Sequence, residues 1–116
     1  YINTLYQSKL SITPFGQGEV CYRDFEIFEF GVVMIKPDMS IVNTYPNPYI
    51  NNETYIPVDL DWINLNEIVV KMLDKSDKLL YIIDNSRKVY DELYSAHNFC
   101  KYWYDFFANL SEVENE

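Results

Sequence analysis

The apolar positions change their period along the chain. Val32, Val33, Met34 and Ile35 form an unbroken apolar run stopped by Lys36-Pro37-Asp38, the pattern of a strand covered on both faces in a parallel sheet. Upstream, Lys9 to Thr13 alternates, is rich in β-formers and is closed by Pro14, so it reads as a short strand ending in a glycine-containing loop. Between the two, Phe25, Ile27, Phe28 and Phe30 fit a short, largely buried helix over Asp24 to Phe30, with Gly31 as its C-terminal cap. Strand, loop, helix, glycine and strand make a βαβ unit. The stretch from Asp38 to Thr54 carries Pro46, Pro48 and several Asn and Asp residues, which predicts a long loop with room for one helical turn. Tyr55 to Val58 follows as a short strand, and Pro57 places it at an edge or a strand end.

From there the period becomes helical. Leu65, Ile68, Val69, Met72 and Leu73 share one face, and Asn64 with Glu67 resembles a capping box. A second helix is expected from Asp77 to Tyr94. A third begins near Ala96, with Phe99, Tyr102, Trp103, Phe106, Phe107 and Leu110 on one stripe. About three short strands are too little sheet to cover six such side chains, so the surplus points to an interface. Residues 1–110 thus form one partial α/β domain, and 111–116 a frayed acidic tail.

Composition narrows the partners. The 116 residues carry 18 acidic and 9 basic side chains, a net charge of -9, which repels phosphate backbones and anionic lipid; neither nucleic acid nor a membrane surface is an expected partner. No apolar run is long enough for a transmembrane segment. With only Cys21 and Cys100, a reducing, cytoplasmic setting is the simpler expectation. The chain begins at Tyr1 without methionine, which suggests a piece of a longer protein.

The chemistry concentrates between Thr13 and Glu26. All three glycines, Gly16, Gly18 and Gly31, lie within 16 residues of one another. Glycines at a strand-to-helix junction let backbone approach a ligand, and the following helix start offers unpaired N–H groups and a partial positive charge, which suit phosphate. Arg23 would add a two-pronged clamp on phosphate oxygens, and Glu26 could accept hydrogen bonds from a sugar diol. The plainer alternative is a turn whose Arg23 and Glu26 are paired surface charges. Lys36 and Asp38, read as lying just past the strand end, sit where open α/β sheets bind ligands, or are solvated loop charges. His97, the only histidine, reads as a helix-start polar residue, so no histidine triad is expected. Cys21 and Cys100 read as buried small hydrophobes, and Asp59 and Asp61 as a loop-to-helix junction rather than a metal pair.

The run Ser11-Ile12-Thr13-Pro14-Phe15-Gly16-x-Gly18-Glu19-x-Cys21-x-Arg23-Asp24-Phe25-Glu26, followed by Gly31 and Ile35-Lys36-Pro37-Asp38-Met39, resembles the C-terminal half of GT-B-fold glycosyltransferases of the group 1 type. The similarity continues through Thr44-Tyr45-Pro46-Asn47, Glu53 to Val58 and the helix near Leu65. It implies a Rossmann-like three-layer fragment of short parallel strands with a C-terminal helical segment. The implied enzyme moves a sugar from a nucleotide-activated donor to an unidentified acceptor, this chain supplying part of the donor site. By resemblance, Glu19 faces the donor sugar, Glu26 the ribose, Gly16 and Gly18 lie by the donor, and Arg23 lies near the diphosphate. The two glutamates stand one position closer than the family's usual spacing, while Glu26 keeps its distance from Gly31, so Glu26 is the better anchored. The resemblance further implies no essential metal or cofactor beyond the nucleotide-sugar co-substrate. It places any catalytic base in an N-terminal domain, absent from this chain, that packs on the Phe99–Leu110 helix. The alternative function is a non-catalytic acidic module that binds a protein through that aromatic helix.

Overall fold

A computed structural model describes residues 7–16 and 18–115, with side chains described through Leu110. The elements in order are β1 (Leu10–Ile12), α1 (Tyr22–Phe30), β2 (Val33–Pro37), a 3-10 turn (Met39–Ile41), β3 (Ile56–Val58), α2 (Leu65–Leu73), α3 (Ser76–Tyr94) and α4 (Ala96–Asn115). The fold is α/β. The described strands form a parallel sheet in the order β1-β2-β3, with Leu10 opposite Val33 and Ile35 opposite Ile56.

The central strand explains the layers. All five residues of β2 are buried, and successive side chains go to opposite faces. Met34 joins Ile27, Phe28, Val32, Met39, Tyr49 and Tyr55 in a core beneath α1 and the long loop. Val33 and Ile35 join Ile56, Val58, Met72, Leu79 and Ile82 in a second core beneath α2 and the first half of α3. Each large apolar side chain so enclosed contributes about 1.5–3 kcal/mol. The second half of α3 passes to the other layer, where Tyr90 lies against Phe28 and Tyr94 packs edge-on against Phe25. Pro57 sits in β3, an edge strand of the described sheet, where its missing N–H is tolerated.

Gly31 ends α1 at φ 73°, and its N–H donates to the Ile27 carbonyl at 3.2 Å. This is a position that an L side chain enters only at a cost. Two local expectations are corrected. Helix α1 starts at Tyr22 rather than Asp24. Helix α2 starts after Asn64 without a side-chain cap, because the Asn64 carboxamide oxygen instead accepts the Asp59 N–H at 3.1 Å and braces the preceding turn. The backbone of α4 runs through Asn115; the side chains of the expected acidic tail lie outside the described residues.

Helix α4 rests on α3 and on the long loop rather than on the sheet. Tyr45 packs against Tyr102, Trp103 and Phe106, and Phe99 packs between Tyr94 and Trp103. Tyr104 remains 74% exposed and Phe107 60%, so part of the aromatic stripe faces solvent.

Candidate functional site at the glycine loop

Every described strand points its C-terminal end toward one edge of the sheet, where ligands of open α/β folds bind. The loop from Pro14 leaves β1 at that edge and runs into α1. Its Gly16 N–H donates to the Gly18 carbonyl at 3.1 Å, which curls the chain. Beyond the curl lies a shallow cleft of about 580 Å³ whose described lining is Gly18, Val20, Cys21, Tyr22 and Phe25. The cleft thus opens on the first turn of α1, where the Asp24 N–H donates to the Cys21 carbonyl at 3.1 Å.

The floor behind this turn is a buried charged cluster. Asp24 and Lys36 are both fully buried, with Lys36 Nζ 3.2 Å from Asp24 Oδ2 and 3.3 Å from Oδ1. The Tyr49 hydroxyl donates to Asp24 Oδ2 at 2.7 Å, and the Cys21 N–H donates to the same oxygen at 3.4 Å. The Cys21 thiol donates to Asp24 Oδ1 at 3.4 Å and lies 3.9 Å from Lys36 Nζ. Lys36 also faces the Phe15 ring at 5.3 Å. These contacts offset the several kcal/mol that enclosing a charge would otherwise cost. Burial, then the Asp24 charge, pushes the Tyr49 phenol far above its ordinary range. The same two causes raise the Cys21 thiol, and Lys36 pulls it partly back.

The residues singled out from sequence therefore separate. Gly16, Gly18 and Glu19 are exposed on the loop, Arg23 is exposed on α1, and Glu26 is half-buried one turn further along. Lys36 is a correction: it is neither past the strand end nor solvated but lies inside β2, held by Asp24. Asp38 does follow β2, where its carboxylate accepts the Ser40 N–H at 2.9 Å and a hydrogen bond from Asn51 at 3.2 Å. Both contacts hold its acid below the ordinary carboxylate value. The cysteines are also corrected, since Cys21 is half-buried beside charged groups and Cys100 is exposed on α4. His97 is exposed in the first turn of α4.

Among the described residues, neither Gly16 nor Gly18 faces a neighbour that would exclude a side chain. A Cβ at either position would meet no described residue within 4 Å, and neither has the positive φ that Gly31 has. Asp24 and Tyr49 escape a reading of the sequence as parts of the cluster. The available signal is that Lys36 shares its strand face with Met34 under α1, opposite the first turn of that helix.

No protein-family model matches the chain, and no curated protein sequence matches it.

Proposed function

We propose that this chain supplies part of the donor site of a glycosyltransferase that moves a sugar from a nucleotide-activated donor to an acceptor, as the distal part of a GT-B donor-binding domain. The observation that carries this reading is the pair of exposed glycines at the cleft, Gly18 in its lining and Gly16 two residues before, at neither of which a Cβ would meet a described residue within 4 Å. Lacking side chains, they keep space open for a ligand beside the start of α1. A diphosphate there meets the positive end of the helix dipole, with Arg23 able to close on its oxygens. Glu26, one turn along, accepts ribose hydroxyls, and Glu19 is the candidate for the sugar.

Lys36 acts from beneath in this scheme. It fixes Asp24, which in turn accepts the Cys21 N–H and sets where α1 begins. The catalytic base and the acceptor belong to a further domain packed on the exposed side of α4. Calorimetry with a nucleoside diphosphate tests the reading. Glu26→Ala should weaken binding by about 1–3 kcal/mol, or about 5- to 150-fold, whereas an unchanged Kd would return Glu26 to the role of a surface charge.

A second reading, a protein-interaction module, is favoured by one observation: Tyr104, Phe107 and Leu110 present an exposed apolar surface along α4. Under that reading the nucleoside diphosphate leaves the glycine loop unperturbed.

A further inference from the structure

We propose that Cys21 and Lys36 form a reversible covalent cross-link in the presence of a peroxide, a sulfenamide joining Sγ to Nζ that fastens the start of α1 to the central strand. This does not rest on the glycosyltransferase reading. The two atoms lie 3.9 Å apart although the residues are 15 apart in sequence. Asp24 Oδ1 touches both partners, at 3.4 Å from the sulfur and 3.3 Å from the nitrogen. Cys21 is half-buried and lines the open cleft, so a small oxidant reaches its sulfur. Lys36 has no solvent exposure; the electrophile its amine meets is the oxidised sulfur beside it.

The chemistry balances with one peroxide. The sulfur gives an electron pair to a peroxide oxygen, the O–O bond breaks, and a sulfenic acid and one water result. Lys36 passes its ammonium proton to the adjoining Asp24 carboxylate, and the freed nitrogen lone pair attacks the sulfur. The S–N bond forms as the S–OH bond breaks, and the departing hydroxide takes a proton from the nitrogen to leave as a second water. The sulfur is oxidised by two electrons and the peroxide reduced by two. A dithiol reverses the link, returning thiol and amine. Because burial and Asp24 disfavour the thiolate, the reaction is best run at about pH 9, near the ordinary thiol range.

Peptide mass mapping of the full chain tests this directly. Trypsin cleaves after Lys9, Arg23 and Lys71 but not at the Lys36-Pro37 bond, leaving Cys21 on residues 10–23 and Lys36 on residues 24–71. After peroxide these two peptides should run joined, about 2 Da lighter than their sum, and should separate on adding dithiothreitol. Cys21→Ser should abolish the joined species. Exposed Cys100, on residues 89–101, is the internal control for oxidant strength. Separate peptides at a dose that fully oxidises Cys100 would overturn the proposal, whether Cys21 is then a free thiol or a sulfinic or sulfonic acid. The unsubstituted chain carries this test without any variant having to fold.

Discussion

Lys36 Nζ lies 3.2 Å from the Asp24 carboxylate, and neither side chain exposes any surface. One charge comes from the central strand and the other from the first turn of α1, so the pair fixes the helix start against the sheet. Asp24→Asn keeps the shape but leaves Lys36 without a counter-charge. It should lower unfolding stability in urea by about 3–5 kcal/mol. The double substitution Asp24→Leu with Lys36→Met should recover part of that loss, since the two charges no longer have to be enclosed, while the Tyr49 hydroxyl and the Cys21 N–H lose their acceptor. A double variant as unstable as the single would show that the pair does more than satisfy two enclosed charges.

The three glycines should respond oppositely to alanine. Gly31 sits at φ 73°, where a Cβ would lie 3.5 Å from the Ile83 side chain, so Gly31→Ala should cost about 1–2 kcal/mol from the left-handed backbone. Gly16→Ala and Gly18→Ala meet open space. They should leave stability unchanged or raise it by about 0.4–1 kcal/mol through the unfolded chain, while weakening nucleoside diphosphate binding. Thermal melts and calorimetry on the same three variants separate the two effects.

The strand-helix-strand unit is legible in the sequence because its signals are local. An unbroken apolar run marks a doubly covered strand, and Gly31 marks a helix end whatever lies around it. The long loop between β2 and β3, the turn within it and the aromatic periodicity of α4 are legible for the same reason. The charged cluster is not. Lys36 follows an apolar run and precedes a proline, so locally it looks like a strand terminator. Its burial depends on Asp24, 12 residues back, and on Tyr49 in the loop beyond. Asn64 fails as a cap for a related reason, since the turn before α2 offers its side chain a competing N–H on Asp59. The position of the glycine loop follows from sequence, whereas the open space beside Gly16 and Gly18 depends on where the rest of the described chain folds.

Alkaline pH should destabilise the fold. Burial pushes Tyr55 and Tyr94 up to about 12 from an ordinary value of 10. The unfolded chain therefore releases these protons first. Their contribution to stability is fully present below about pH 10 and is lost progressively as pH rises toward 12. Melting temperatures across that window should fall, and Tyr94→Phe should flatten the decline. A flat profile in the unsubstituted protein would show that neither phenol is held neutral by the fold.

The exposed end of the aromatic stripe should govern self-association. Phe107→Ser and Leu110→Ser remove apolar groups that are about half or more in solvent. They should change stability by no more than about 0.5 kcal/mol while lowering binding of a hydrophobic dye. Tyr45→Ala, by contrast, strips a ring packed on Tyr102, Trp103 and Phe106 and should increase dye binding. Light scattering and dye fluorescence on the three variants check both directions.

A donor site at the glycine loop requires a nucleoside diphosphate to touch the chain there. Titrating uridine or guanosine diphosphate into isotopically labelled protein and following backbone amide shifts reads this residue by residue. Saturable shifts concentrated from Gly16 to Glu26, and lost in Gly18→Ala, are the predicted result. Amides in that segment that stay still at millimolar nucleotide, or shifts confined to α4, would contradict it.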